Sequence, residues 1–384
     1  MQLTESQSTT PEQADRPPFQ YLVIIEPLGL LYGSAGRFLS PENLVGRSGQ
    51  KFPPSATALS GICSAVLSAE KSEGEEWSPE FRDLQLAGPF WAWGDKPQNF
   101  YVPTPFNCWV KNEKIKYRLQ WQPEPVGKWQ VDPQELPTRE KEENPPVGKF
   151  RKGTWLAIES WRDLEGETPP AIAESPWKFM PHLHPRLQED GERVVDADSD
   201  RGSLFLENAV QLNPDACLIY LSNTEIKTGC YRFGGEGHLV ELRCEKIGES
   251  VQDLLREPIG KSFALITPGI WGSNDYSYRA PKQNKQGELL WGEIPVEALL
   301  TERPIPARYR RGDRNSGVGV SARLSRGRYA MPAGSVCVLE RPLERSWQDW
   351  PDAWFPKEGT TFKRWGSALS LPLSVTSHQS PVTS

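Results

Sequence analysis

The chain of 384 residues holds 44 Lys and Arg against 50 Asp and Glu, a formal net charge of -6, so a grip on any polyanion has to be local. With 37% apolar residues and no run near the ~18 that a membrane helix needs, it reads as a water-soluble protein, long enough for two domains. Its 36 prolines, 32 glycines and 15 tryptophans exclude a helical bundle and favour short strands joined by long, shaped loops.

Residues 1–18 are polar and acidic, without the basic start and apolar middle of a secretory signal, and read as a disordered leader on a cytoplasmic protein. The β-branched run 21–25, stopped by Glu26 and Pro27, predicts a buried strand. A loop holding Gly33, Gly36 and Arg37 follows. Ser55 then caps a helix that puts Leu59, Ile62, Cys63, Val66 and Leu67 on one face, with Gly61 read as permitting close packing on a sheet. Residues 70–83 form an acidic loop, 86–106 an aromatic strand, turn and extended segment, and 121–150 a proline-rich solvated linker or insertion.

Further strand-length runs lie at 154–158, 204–206 and 217–221. Residues 229–233, a glycine loop, an alternating strand at 238–243, a short helix at 250–256 and a strand at 261–267 have the rhythm of half a split β-α-β unit. Residues 335–339 read as the last core strand, and 372–384 as a disordered tail.

The six cysteines (Cys63, Cys108, Cys217, Cys230, Cys244, Cys337) are scattered singly, as reduced, buried thiols are. No C-x-x-C spacing occurs, and His182 and His184 sit in a proline-bounded segment, read as a loop, with no cysteine partner. Asp196, Asp198 and Asp200 lack the glycine and terminal glutamate of a calcium loop. The sequence therefore calls for no metal and no other cofactor.

The strongest chemical signal is basic. Residues 303–328 carry eight arginines, at 303, 308, 310, 311, 314, 323, 326 and 328, with Asp313 the only acid and no lysine, a local charge of +7. Arginine forks clamp phosphates in a bidentate manner, and the interspersed Gly312, Gly317, Gly319 and Gly327 let backbone N–H groups join them. The other signal is Phe233-Gly234-Gly235-Glu236-Gly237-His238, where glycines allow a close approach to a phosphate or simply close a hairpin. His238, beside Tyr231 and Glu236, leaves open a second class, a metal-independent endoribonuclease in which it moves the proton of a ribose 2′-hydroxyl. The tryptophans serve either to pin down long loops or to stack on bases and partners.

Taken in order, the N-terminal strand, the Gly/Arg loop, Phe52-Pro-Pro-Ser-Ala-Thr-Ala-Leu-Ser-Gly61, Gly88-Pro89-Phe90, Tyr101-Val-Pro-Thr-Pro105, the glycine loop and Pro332-Ala-Gly-Ser-Val336 resemble the RAMP superfamily of CRISPR-associated proteins. The nearest resemblance is to the third-subunit family of the Cmr, or type III-B, RNA-guided effector complex, in separated islands over residues 20–340.

It implies an α+β fold of two ferredoxin-like (RRM-like) lobes with long loop insertions, divided at 19–210 and 211–371. It also implies a non-catalytic subunit that binds the 5′ repeat-derived tag of a guide RNA in antiviral defence. Its partners would be that RNA, the large polymerase-like subunit and the backbone-forming RAMP subunits. The RNA-facing residues it implies, together with the basic segment, are Gly36, Arg37, Gly234, Gly235, Gly237, His238, Arg308, Arg310, Arg311, Arg314, Arg323, Arg326 and Arg328. Two positions depart from the family pattern: Tyr32-Gly33 stands where an arginine is common, and His238 where arginine is usual. The alternative is a RAMP-type nuclease processing precursor guide RNA with His238 as acid/base.

Overall fold

A computed structural model describes residues 19–32, 52–69, 83–123, 125, 127–131, 153–166, 169–185, 204–234, 237–273, 276–311 and 323–373. The architecture is mostly β-sheet with few helices. Its spine is an eight-stranded antiparallel sheet in which Tyr21–Pro27 lies between His238–Lys246 and Ala216–Ser222. The sheet continues from Ala216–Ser222 through Leu86–Trp93, Tyr101–Pro103 and Thr154–Ala157 to Ile172–Glu174, and ends on the other side at Gly229–Phe233.

The apolar run at the centre is continuous because both of its faces are covered. Leu22 and Ile24 enter one core with Cys217 and Ile219, while Val23 and Ile25 enter another with Leu218, Tyr220, Val240 and Leu242. The second of these cores is closed by α1, Ala56–Ala69, through Leu59, Ile62 and Cys63. Leu59, Ile62 and Cys63 of the expected face are thus buried, with Val66 half-buried beside them. Gly61, however, is exposed and has nothing within 4 Å of the place a Cβ would take, so it does not serve a close approach to the sheet.

The other face of the large sheet shares its core with a second, six-stranded sheet, ordered Lys282–Gln283, Leu289–Trp291, Ile294–Leu300, Val336–Leu339, Ser262–Leu265 and Ser370–Leu373. Short α2, Glu249–Arg256, joins the two and buries Val251, Leu254 and Leu255. The partition expected at residues 210 and 211 does not coincide with a change of sheet. Strands 216–222, 229–233 and 238–246 pair with the N-terminal strand or its neighbours, because Tyr21–Pro27 needs a partner on each edge. The glycine loop accordingly belongs to the first sheet.

Several segments depart from their expected form. Val336–Leu339 is not the last core strand, since Ser370–Leu373 pairs beside Ser262–Leu265. Between them, Trp347, Trp350, Trp354, Phe355 and Phe362 pack against Trp291, Trp271 and Phe263, so this part of the core is aromatic. The expected linker at 121–150 begins instead in strands, Lys114–Gln122 and Lys128–Val131, held by a ring contact between Trp121 and Trp129 and by a hydrogen bond from Trp121 Nε1 to Glu297 Oε1 of 3.0 Å. His182 and His184 lie in a nine-residue strand, Trp177–Pro185, whose pairing with Leu204–Leu212 overrides the flanking prolines. Among the described residues no helix is long and apolar enough to cross a membrane. The proposed leader, the Gly36–Arg37 loop, Asp196–Asp200 and residues 374–384 of the tail lie outside the described residues.

Candidate nucleic-acid interface

Pieces of sequence from Phe52 to Ser367 meet at one cavity of about 260 Å³. Phe52, Pro53 and Ser55 come from the first proline motif, Gly88 and Pro89 from the second, Pro103 from the third and Ala333 from the fourth. Trp155, Phe362 and Trp365 supply ring walls, and Arg308 and Arg326 border it from the basic segment. Arg308 is half-buried, and its Nε donates to the Ser325 carbonyl at 2.8 Å; Arg326 is exposed.

The motif glycines and prolines are positioned by packing. Gly88, at φ +126°, leaves 2.9 Å between the Tyr220 ring and the place a Cβ would occupy. Tyr220 is fully buried and donates its hydroxyl to the Pro54 carbonyl at 2.6 Å, which ties the loop before α1 to the large sheet. Gly334, at φ +89°, leaves only 2.7 Å to Phe106 and 2.9 Å to the Thr104 carbonyl, and its own carbonyl accepts the Phe106 N–H at 2.8 Å. The Gly334 contacts seam the turn before Val336–Leu339 of the second sheet to the segment after Tyr101–Pro103 of the first, and the cavity lies at that seam.

The arginines divide into three groups. Arg310 and Arg311 pair as a two-residue strand with Arg323 and Leu324, at the end of a ribbon formed by Ile305–Ala307 and Arg328–Ala330. Arg308 and Arg326 face the cavity. Arg328 turns inward: its side chain is 4% exposed, pairs with Glu358 at 3.0 Å, donates to the Ser273 carbonyl at 2.7 Å and lies over the Phe362 ring. With its fork engaged internally, Arg328 holds the ribbon to the body and is withdrawn from the expected phosphate contacts. Arg314 lies outside the described residues.

The second expected element lies elsewhere. Gly234 (φ +76°) and Gly237 (φ +66°) close a tight turn in which the Gly237 N–H donates to the Gly234 carbonyl at 3.3 Å. His238 opens the next strand, paired across from Phe233. None of these three borders the cavity, and Gly235 lies outside the described residues. The turn also carries a cation outside the glycine motif: exposed Arg232, whose side chain runs alongside Gly237. Its signal was present as the one charged residue of the 229–233 strand.

Among the described residues no group of three or more His, Cys, Asp or Glu is arranged to hold a metal ion. The cysteines are free, and burial pushes Cys63 and Cys217 up to about 12 and Cys244 to about 11. Those three are protonated at neutral pH and unsuited to nucleophilic work. What the cavity and ribbon offer is a cleft with aromatic walls beside guanidinium groups, which suits a planar ring next to a phosphate.

No protein-family model and no curated protein matches the sequence. Among solved structures, the chain is similar to a chain of the Type III-B Cmr-beta complex bound to cognate target RNA and AMPPnP, with 11% identity, 83% of this chain and 86% of that one covered, and a TM-score of 0.45. It is also similar to a chain of the Csm1-Csm4 cassette in complex with AMPPNP (12%; 85% and 89%; TM-score 0.32) and to one of the Csm3-Csm4 subcomplex of the type III-A CRISPR-Cas interference complex (12%; 92% and 100%; TM-score 0.36). The likeness is to type III CRISPR effector subunits. With TM-scores under 0.5 it locates no residue and assigns no role.

Proposed function

We propose that this chain is a non-catalytic, RNA-binding subunit of a type III CRISPR effector, built as two ferredoxin-like lobes. It would hold the 5′ repeat-derived tag of the guide RNA and cap the assembly beside the large polymerase-like subunit. The observation that carries the reading is the meeting of four proline and glycine motifs with Arg308 and Arg326 at one cavity, at the root of a segment whose charge is +7 in an otherwise acidic chain. An acidic protein that binds RNA needs its cations gathered in one place, and arginines beside aromatic walls recognise a backbone and its bases together. The type III resemblance of motif order points to the same ligand.

The test is binding of a repeat-tagged guide RNA across a salt series. For a single strand the slope of log K against log salt is about -0.7 per phosphate neutralised, so Arg308→Ala with Arg326→Ala should weaken binding and make the slope shallower by about 1.4. An unchanged affinity and slope would mean that this segment is not the RNA grip.

A further inference from the structure

The β-ribbon that lines the cavity has a second face, and it carries unpaired aromatic surface. Alternation along Arg328–Ala330 turns Arg328 and Ala330 inward and leaves Tyr329 54% exposed. Tyr276, 69% exposed, stands on the neighbouring hairpin of Trp271–Gly272 and Ser277–Tyr278. The two segments are joined directly: the Tyr329 N–H donates to Ser277 Oγ at 3.0 Å, and buried Arg328 donates to the Ser273 carbonyl of the same hairpin at 2.7 Å.

The backbone beneath both rings is fixed. Ser273 and Tyr276 exchange hydrogen bonds of 2.9 and 3.2 Å, and Gly272, at φ +106°, leaves only 2.2 Å between a Cβ position and the Tyr276 carbonyl, a turn that no other residue fits. An exposed cation, Arg279, follows Tyr276 on the hairpin, whereas Arg326 borders the cavity. Residues 276–286 add Lys282 and Lys285 and contain no carboxylate.

We infer that Tyr276 and Tyr329 form a stacking platform for the unpaired bases of single-stranded RNA, with Arg279 on its phosphates. Rings held apart from the core on a rigid backbone cost little further ordering when a base lands on them, and stacking accepts any base. The inference rests on the RNA-binding reading above and extends it to residues outside the cavity.

Fluorescence anisotropy on the full chain tests it with three probes: a repeat-tagged guide, an unrelated single strand of the same length, and an abasic ribose-phosphate strand. Tyr276→Ala with Tyr329→Ala should lower affinity about tenfold or more for one or both base-bearing strands and leave the abasic strand unchanged. Which strand suffers identifies the RNA that the platform holds. Phe at both positions should keep wild-type affinity, since stacking needs the ring and not the hydroxyl. If the alanine variant binds both strands like wild type while Arg308→Ala with Arg326→Ala does not, the platform is overturned and the RNA reading stands. If the wild-type chain binds no probe, both fall.

Discussion

At the scale of single residues, the eight arginines of the basic segment are not equivalent. Arg328 and Glu358 form a buried pair, with side chains 4% and 8% exposed, and truncating one partner strands the other charge away from water. Glu358→Ala should therefore cost about 3–5 kcal/mol, read as a lower denaturant midpoint, whereas Arg326→Ala at an exposed position should stay within about 0.5 kcal/mol. Equal effects would show that the pair is not what holds the ribbon.

The thiols give a second residue-scale expectation. Cys230 is exposed and should react with a maleimide at neutral pH; Cys63, Cys217 and Cys337, buried, should react only on unfolding. In the unfolded chain a thiol titrates at its ordinary value of 9.0, while in the folded chain burial holds Cys63, Cys217 and Cys244 protonated up to about 11 to 12. The folded state then binds more protons, so this contribution is complete below about pH 9 and stability falls as pH rises from there. A denaturant midpoint that rises between pH 9 and 11 would contradict it.

At the scale of elements, the seam between the sheets depends on glycines at positive φ. Gly334→Ala places a methyl group 2.7 Å from the Phe106 ring, with backbone on its other side, so several kcal/mol of stability should be lost and the hydrogen bond from Phe106 should part. A variant with an unchanged thermal midpoint would mean that the seam yields easily.

The elements also show what a single sequence reveals. The central strand, the inner face of α1 at Leu59, Ile62 and Cys63, and the strands at 216–222 and 238–246 were legible, because apolar runs and a 3.6-residue period are local signals. The strands at 114–122 and 128–131 were missed although both alternate polar and apolar residues with a period of two, because the prolines and charges that follow made the whole stretch look like linker. The Pro372 boundary failed because Ser370–Leu373 is a strand only by virtue of its neighbour at Ser262–Leu265. For the candidate site, the basic character of residues 303–328 could be read directly. That Arg328 is an internal strut could not, since Glu358 lies 30 residues away and meets it only in the fold.

At the scale of the whole molecule, one core runs between both sheets, with a cavity at their seam bordered by the ribbon of Ile305–Ala307 and Arg328–Ala330. The proposed function asks this molecule to hold RNA without chemistry. The most direct measurement incubates the purified chain, without metal, with a precursor repeat RNA and with a mature tagged guide, following binding and cleavage in the same tubes. The account predicts tighter binding of the tagged guide and both RNAs intact. Cleavage of the precursor that disappears in His238→Ala would contradict it and make the protein a nuclease.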